Sequence, residues 1–376
     1  MADQPKPLVE VAEIPGRGRG LIATRDIKAG EVLLRDSPIL TYTAASTPCY
    51  NCFRIPATAA ITCPSCWISF CSNGCASLAA SSSSSHTPWS CRALAHLRTF
   101  AVADADLLFQ ANFLIAALNL AAVSSPSFLR LMSLQGLPSE NPSPETLNLH
   151  SFISSVPPPK GLECGVSLEI TSALLAKDKQ NAFGLMEPFR EDKERSVRAY
   201  GIYPTASFFN HDCLPNACRF DYLDGPDGKN TDIIIRAIHD IPQGREVCLS
   251  YFPVNWVFTD RQRRLSEDYG FVCKCDRCEV EKNWKDDDDD DDAGEEEGME
   301  EEDGDDSDER MDGSDDGDFP HAYFFVRYLC DREKCGGTLA PLPLSPDGMP
   351  SDVMECNVCG RLRKEEDLDG NSAEGN

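Results

Sequence analysis

FFNHDCLPNACRF, Phe208 to Phe220, decides how this chain is to be read. An apolar pair runs into Asn210, His211, Asp212 and Cys213, then Pro215 and Asn216, then back toward apolar residues. Polar groups framed this way are expected to be partly buried, and a buried polar group needs a partner. Asn210, His211 and Cys213 therefore each need one, and the rest of the chain has to supply it.

Cys213 leads to the other cysteines. There are 18 in 376 residues, and they are clustered: Cys49/Cys52, Cys63/Cys66, Cys71/Cys75 and Cys91; Cys273, Cys275 and Cys278; Cys330/Cys335 and Cys356/Cys359. The first 20 residues hold no continuous apolar run, so no secretory signal is seen and an intracellular protein is expected. The longest apolar stretch, FLIAALNLAAV from Phe113 to Val123, is too short to span a bilayer and is interrupted by Asn119, so no membrane is expected either. Paired short spacings in an intracellular chain indicate zinc rather than disulfides.

The first block reads C-x2-C, C-x2-C, C-x3-C, then H-x4-C ending at Cys91, which is seven Cys and one His. That is enough for two tetrahedral zinc sites. The second block, FVCKCDRC, has only three cysteines, and a closed structural site needs four ligands. Cys213 is the candidate for the fourth. Alone it would read as a small buried hydrophobe; the missing ligand reverses that. The third block, C-x4-C-G-G followed by C-x2-C-G, reads as a zinc ribbon on two knuckles, Cys330/Cys335 and Cys356/Cys359. The arithmetic gives about four zinc ions.

The net charge of -27 is local. Residues 286–318 hold 22 Asp or Glu and one Arg, or -21, which leaves -6 for the remainder. Nothing there offers the basic excess that neutralises phosphates, so direct nucleic-acid binding is not expected. The acidic tract reads as a disordered linker, since self-repulsion and the lack of apolar groups oppose packing.

Around these landmarks the chain alternates. Residues 8 to 42 read as short strands and turns: VEVAEI, the glycine-rich PGRGRG, LIAT, VLL and ILTY. The first cysteine block carries a five-serine run that reads as a flexible insertion. Residues 93 to 122 read as helix from apolar recurrence at three and four. Residues 124 to 160 read as Pro- and Ser-rich connections around FLRLM, and LEITSALLAKDKQNAFGLM as helical again. RAYGIYP, RFDYL, TDIIIRAI and EVCLSY read as strands.

Two resemblances organise the rest. The first cysteine block, with Phe70 before Cys71 and Trp89 near its end, resembles a MYND finger. That resemblance implies interleaved ligands: Cys49, Cys52, Cys71 and Cys75 on one zinc, and Cys63, Cys66, His86 and Cys91 on the other. GRGRGL, NHDCLPN, GREVCLSYF and YGFVCKCDRC, in that order, resemble a SET-domain protein lysine methyltransferase, and the early MYND insertion resembles its SMYD (SET and MYND) branch. Animal SMYD proteins have a long helical C-terminal domain that this chain has no room for.

The resemblance implies an α+β fold, the SET β-clip of short strands with a helical insert. Its parts would be a SET domain over 8–280 with a post-SET zinc site at 273–280, a MYND finger at 48–92, a helical insert at 93–185, the acidic linker at 286–318 and the ribbon at 319–364. It implies protein-lysine N-methylation with S-adenosyl-L-methionine as cofactor. Asn210 and His211 would bind the cofactor largely through backbone groups and the Asn side chain, which answers the opening question by analogy. Arg17 and Arg19 would sit at its methionine end, with Asn181 and Ser207 as further contacts and Phe271 stacked on adenine. Tyr251 would be the catalytic tyrosine, also touching the cofactor, with Tyr269 as a second channel tyrosine; Phe252 and Trp256 are candidate channel walls.

The implied partner is a protein bearing the target lysine, such as a histone tail, in the nucleus. Proline-rich peptides are the ligands implied for the finger. A catalytically weak SET/MYND scaffold binding such peptides is the alternative reading. The presence of Tyr251, Asn210 and His211 together argues for the enzyme.

Overall fold

The computed structural model describes residues 7–57, 59–81, 85–100, 104–162, 165–225, 230–284 and 321–364. The acidic tract at 286–318 and the middle of the five-serine run lie outside the described residues.

The N-terminal hairpin pairs Val9–Ile14 with Gly18–Ala23. Its turn needs Gly16 and Gly18 at φ +73, a backbone region that costs glycine little. Glu246–Leu249 joins the far edge of this hairpin antiparallel, and Asn210–His211 then pairs with Glu246–Leu249 in parallel, Cys248 opposite Asn210 and Leu249 opposite His211. The NHDC segment and the strand leading to Tyr251 therefore lie side by side although some forty residues apart in sequence. A second sheet carries Ala217–Phe220, Ile233–Ala237 and Val32–Asp36, and a third carries Leu40–Tyr42, Val197–Ile202 and Ala182–Met186. Leu21, Ile27, Tyr203, Phe209, Ile233, Ile235 and Val247 close a core among these strands.

The helical region is built on Ala105–Val123, which packs on Pro88–Leu97, Ser125–Ser133, Pro144–Ser155, Leu168–Asn181 and the strand Leu40–Tyr42. By length and composition this helix could cross a membrane; the single helix expected over 93–122 is instead the end of Pro88–Leu97 followed by Ala105–Val123. Here it is the core helix of the region, with Phe113, Leu114, Ile115 and Leu118 fully buried. Asn119 is buried too and accepts a hydrogen bond from Thr87 Oγ at 2.6 Å, which removes the penalty for a polar group at that position.

Two sequence expectations are corrected. Residues 124–160 hold two helices, Ser125–Ser133 and Pro144–Ser155. Pro126 and Pro144 sit in the first helical turn, where the missing N–H costs nothing, and Ser143 caps Thr146 N at 3.2 Å. The Ser and Pro residues were start signals, not loop signals. The helix Leu168–Asn181 stops at Asn181, and Ala182–Met186 becomes a strand because Val197–Ile202 offers it an edge.

The C-terminal segment holds the helix Ala322–Tyr328 and a sheet of Leu339–Pro341, Val353–Cys356 and Leu362–Lys364. It is docked. Phe324, Tyr328, Leu339, Ala340 and Met354 share a core with Cys218, Phe220, Ile238 and Val254. A buried ion pair, Arg236 to Glu355 at 2.9 Å, crosses the junction beneath the Phe220 ring.

Candidate active site and zinc clusters

The strand pair around Asn210 and Tyr251 is fixed by side chains that imitate a neighbouring strand. Asn216 Oδ1 accepts the Cys248 N–H and its Nδ2 donates to the Glu246 carbonyl, both at 2.8 Å. Asn210 Nδ2 donates to Glu246 Oε1 at 2.8 Å, and Arg17 Nη1 donates to Glu246 Oε2 at 2.6 Å. Arg17 Nη2 also donates to the His211 carbonyl. Gly20 makes this crossing possible: a Cβ there would stand 2.7 Å from Asn210 Nδ2 and 2.8 Å from Ile14. Glu246 and Asn216 were not assigned roles from the sequence, although both lie inside quoted motifs; only the pairing of two distant strands reveals them.

His211 is 1% exposed. Burial, helped by the nearby charges of Arg17, Arg261 and Arg277, lowers its pKa to about 3 and keeps the imidazole neutral. Its Nδ1 faces the Tyr251 backbone N–H at 3.2 Å and its Nε2 faces Cys213 Sγ at 3.3 Å. Nδ1 must accept, so Nε2 carries the proton. Tyr251 donates its hydroxyl to the Phe209 carbonyl at 3.0 Å, and burial pushes its pKa well above the usual phenol value. Around these two residues an aromatic cluster assembles. The Tyr251 ring is 4.7 Å from Tyr269, the His211 ring 4.7 Å from Phe252, and Phe252 stacks on Trp256 at 5.2 Å with parallel planes. Phe271 lies 6.5 Å from His211 at the more exposed edge. Asp212 caps Leu214 N at 2.9 Å, and burial raises its carboxyl to about 6.

The other expected contacts have partners within the chain. Arg19 donates to the Ser133 carbonyl at 2.8 Å, its guanidinium 5.0 Å over the Phe208 ring. Asn181, buried, donates to the Gln135 carbonyl at 2.7 Å. Arg19 thus grips the last residue of the helix Ser125–Ser133 and Asn181 the stretch just after it. Ser207 Oγ donates to the Tyr203 carbonyl at 2.9 Å within its own turn. The expectation that the Asn210 amide is given to a ligand meets a different partner here, the Glu246 carboxylate.

The cysteines gather into four groups, each with its donor atoms within 4.8 Å of one another: Cys49, Cys52, Cys71 and Cys75; Cys63, Cys66, His86 and Cys91; Cys213, Cys273, Cys275 and Cys278; Cys330, Cys335, Cys356 and Cys359. A tetrahedral zinc with thiolates at about 2.3 Å requires sulfur pairs about 3.8 Å apart. Cys213–Cys278 stand 3.5 Å apart, Cys63–Cys91 3.7 Å and Cys213–Cys273 4.0 Å, far beyond a disulfide bond. The surroundings also suit thiolates. Asn51 Nδ2 lies 3.5 Å from Cys75 Sγ, Arg261 Nη2 3.8 Å from Cys278 Sγ, and the backbone N–H groups of Val358 and Cys359 point at Cys356 Sγ. Gly337 is required beside that knuckle, since a Cβ would stand 2.4 Å from Cys356 Sγ. All four groups fit zinc.

The SET domain family profile matches residues 18–252, more than half of the chain. The chain belongs to the SET-domain family. It is 50% identical over 396 aligned positions to the histone-lysine N-methyltransferase ASHR2 of Arabidopsis thaliana, covering 96% of this chain and 97% of that one. It is 35% identical to the N-lysine methyltransferase SMYD2 of Homo sapiens over 24% of this chain and 19% of that one. Among solved structures it is similar to the SET domain of LSMT bound to lysine and AdoHcy, at 17% identity and a TM-score of 0.33, over 72% of this chain and 54% of the other. That score is too low to carry weight. The SET domain and the relative matched from end to end make the chain an enzyme of the lysine N-methyltransferase class.

Proposed function

We propose that this SET-domain protein is an S-adenosylmethionine-dependent protein-lysine N-methyltransferase of the SMYD type that acts on basic protein segments such as histone tails, in the nucleus. One observation carries the reading: Tyr251, held through its backbone by His211, faces Tyr269 at 4.7 Å next to the Asn210–His211 strand.

The cofactor supplies an electrophilic methyl group on a sulfonium. The chain has to hold it, exclude water, and present a neutral amine in line with the methyl–sulfur bond. With the cofactor bound, the amine would take the methyl group as the sulfur left with the electron pair, and the ammonium formed would give its proton to solvent. Arg17, Arg19, Asn181, Ser207, Asn210, His211 and Phe271 are the residues we assign to the cofactor. Tyr251 keeps its proton, so its hydroxyl acts as an oriented dipole and not as a base. Tyr269, Phe252 and Trp256 form the apolar wall that strips water from the incoming lysine. In this reading Cys49 to Cys91 are a MYND finger within 48–92, inserted in a SET domain over 8–280; 93–185 is the helical insert, Cys273 to Cys278 with Cys213 the post-SET site, and 319–364 a zinc ribbon following the acidic linker. The similarity to a relative named for histone lysines supports the substrate class and the nuclear site of action.

The test is methyl transfer from labelled S-adenosylmethionine to core histones and to a nuclear extract, with the modified lysines read by mass spectrometry. Label on lysines that depends on Tyr251 supports the reading. Cofactor binding without transfer to any protein would favour the scaffold alternative.

A further inference from the structure

The segment that follows the two site aromatics, Pro253 to Val257, belongs to no helix or strand. A wall of a channel cannot be left to a free loop, because a loss of order of about 1 Å in a reacting geometry can cost about 100-fold. Here the loop is held from two directions, and both lead to the C-terminal module.

Two buried arginines hold it from one side. Arg277 Nη1 donates to the Val254 carbonyl at 2.5 Å and Nη2 to the Trp256 carbonyl at 3.1 Å. Arg261 Nη1 donates to the same Trp256 carbonyl at 2.6 Å. Glu281 pairs with both, one carboxylate oxygen to each guanidinium. Arg277 is then capped by Phe325 of the helix Ala322–Tyr328, with its guanidinium carbon 4.6 Å from the ring centroid. From the other side Val254, 1% exposed, packs in one core with Phe324, Tyr328 and Leu339. The knuckle turn fits closely as well: a Cβ on Gly336 would stand 3.3 Å from Asn255 Oδ1 and 3.4 Å from the Pro253 Cβ.

We propose that the C-terminal ribbon is the buttress of the substrate channel, with Phe325 a positioning residue that acts through Arg277 on the backbone of Val254 and Trp256. The proposal rests on the methyltransferase reading for the word "channel". The chain of contacts runs from Phe325 to Arg277, to the Trp256 carbonyl, to the Trp256 ring stacked on Phe252, and so to the residue after Tyr251. None of these groups needs to touch the cofactor. The ribbon is therefore placed to act on how lysine enters and sits before it acts on the cofactor's own contacts.

The experiment compares the full chain with Phe325→Leu, which keeps apolar burial but loses the ring face, and Phe325→Tyr, which keeps it. Zinc content and melting temperature check folding. Hydrogen exchange is followed over residues 253–257, and kcat and KM are measured for a histone-tail peptide. Phe325→Leu should exchange faster at 253–257 and raise the peptide KM roughly 3- to 30-fold, the range a cation–π contact spans, with cofactor affinity unchanged. Phe325→Tyr should restore both. Unchanged exchange at 253–257 in a Phe325→Leu protein overturns the buttress whether or not the enzyme is active. Faster exchange with an unaltered peptide KM overturns the positioning role and leaves only packing. A wild-type chain that methylates nothing overturns the methyltransferase reading instead, and the exchange data still decide the buttress.

Discussion

The imidazole of His211 joins Tyr251 to the third cysteine cluster, with Nδ1 3.2 Å from the Tyr251 backbone nitrogen and Nε2 3.3 Å from Cys213 Sγ. Tyr251 placed this way takes its backbone position from the Cys213 cluster. His211→Ala would leave a buried N–H without an acceptor, at a cost of about 1–3 kcal/mol. Activity should fall more than thermal stability does, because the Tyr251 backbone is displaced even where the fold survives. Imidazole nitrogen shifts in the wild type should report the Nε2–H tautomer. A resonance pattern of the Nδ1–H form would refute the connection.

Tyr251 itself is expected to act on the geometry of transfer. Its hydroxyl is already oriented by the Phe209 carbonyl at 3.0 Å. Tyr251→Phe removes one positioned polar group and should cut turnover roughly 100-fold or more. Cofactor affinity, measured by calorimetry, should barely change. Asn210→Ala should show the reverse order, weakening cofactor binding first, since it also removes one of the two partners of Glu246. Near-normal turnover in Tyr251→Phe would sink the role assigned to the hydroxyl.

Zinc should be present at about four ions per chain, one for each group of four donors. Cys213→Ser should lose about one of them. Arg261 and Arg277, 0% and 5% exposed, would then face Glu281 without the thiolate charge beside them. Two buried guanidiniums would be left sharing one carboxylate, and buried charge that is not balanced is destabilising, so the variant should melt at lower temperature and lose cofactor affinity through Phe271. Elemental analysis finding the full zinc content in a folded Cys213→Ser protein would return Cys213 to the ordinary core.

Asp178 gives a pH dependence of opposite sign to the zinc sites. It is buried next to Tyr42, whose hydroxyl donates to it, and burial raises its carboxyl from 3.8 to about 7. The unfolded chain releases this proton near pH 4 and the folded chain near pH 7. Between those values the folded state binds more protons, so stability from this group is full below pH 4 and lost as pH rises to 7, by about 4 kcal/mol at most. Asp178→Asn keeps a neutral acceptor for Tyr42 and should flatten that fall. Melting temperatures at pH 5 and pH 8 should therefore converge in the variant relative to the wild type. Equal slopes in the two proteins would show that Asp178 is ionised in the folded state throughout.

Much of the site was legible because its chemistry is written in short motifs. The three-cysteine deficit of FVCKCDRC pointed to Cys213, and the four donor sets gather as their spacings and the finger resemblance implied. The strands of residues 8 to 42 followed from alternation and turn glycines. What escaped depends on distant partners. Glu246 and Asn216 act only because two remote strands run side by side. Arg261 and Arg277 look like ordinary surface arginines in RQRR and CDRC, and nothing local marks them as buried. Ala182–Met186 has a helical neighbourhood in sequence and becomes a strand only through Val197–Ile202. Docking of the C-terminal segment on Val254 left no local trace either.

The acidic tract offers the last test. Its charge of -21 follows from sequence alone. The described residues that flank it are Trp284, whose N–H donates to the Glu281 carbonyl, and His321, whose carbonyl accepts the Phe324 N–H. Both ends thus attach beside the Arg277–Phe325 contact that holds the Trp256 loop. Negative charge in this part of the chain would concentrate basic peptides next to the site and speed their encounter, and exposed charges interact over only about 8 Å at physiological ionic strength. The tract holds none of the residues assigned to the reaction, so the chemical step should not change. Deleting 286–318 should raise KM for a Lys/Arg-rich peptide at low salt, leave kcat intact, and lose its effect at high salt. A neutral peptide carrying one target lysine should be unaffected. If deletion leaves the basic and neutral peptides with unchanged kinetics at low salt, the tract is a solubilising spacer and has no part in choosing substrate.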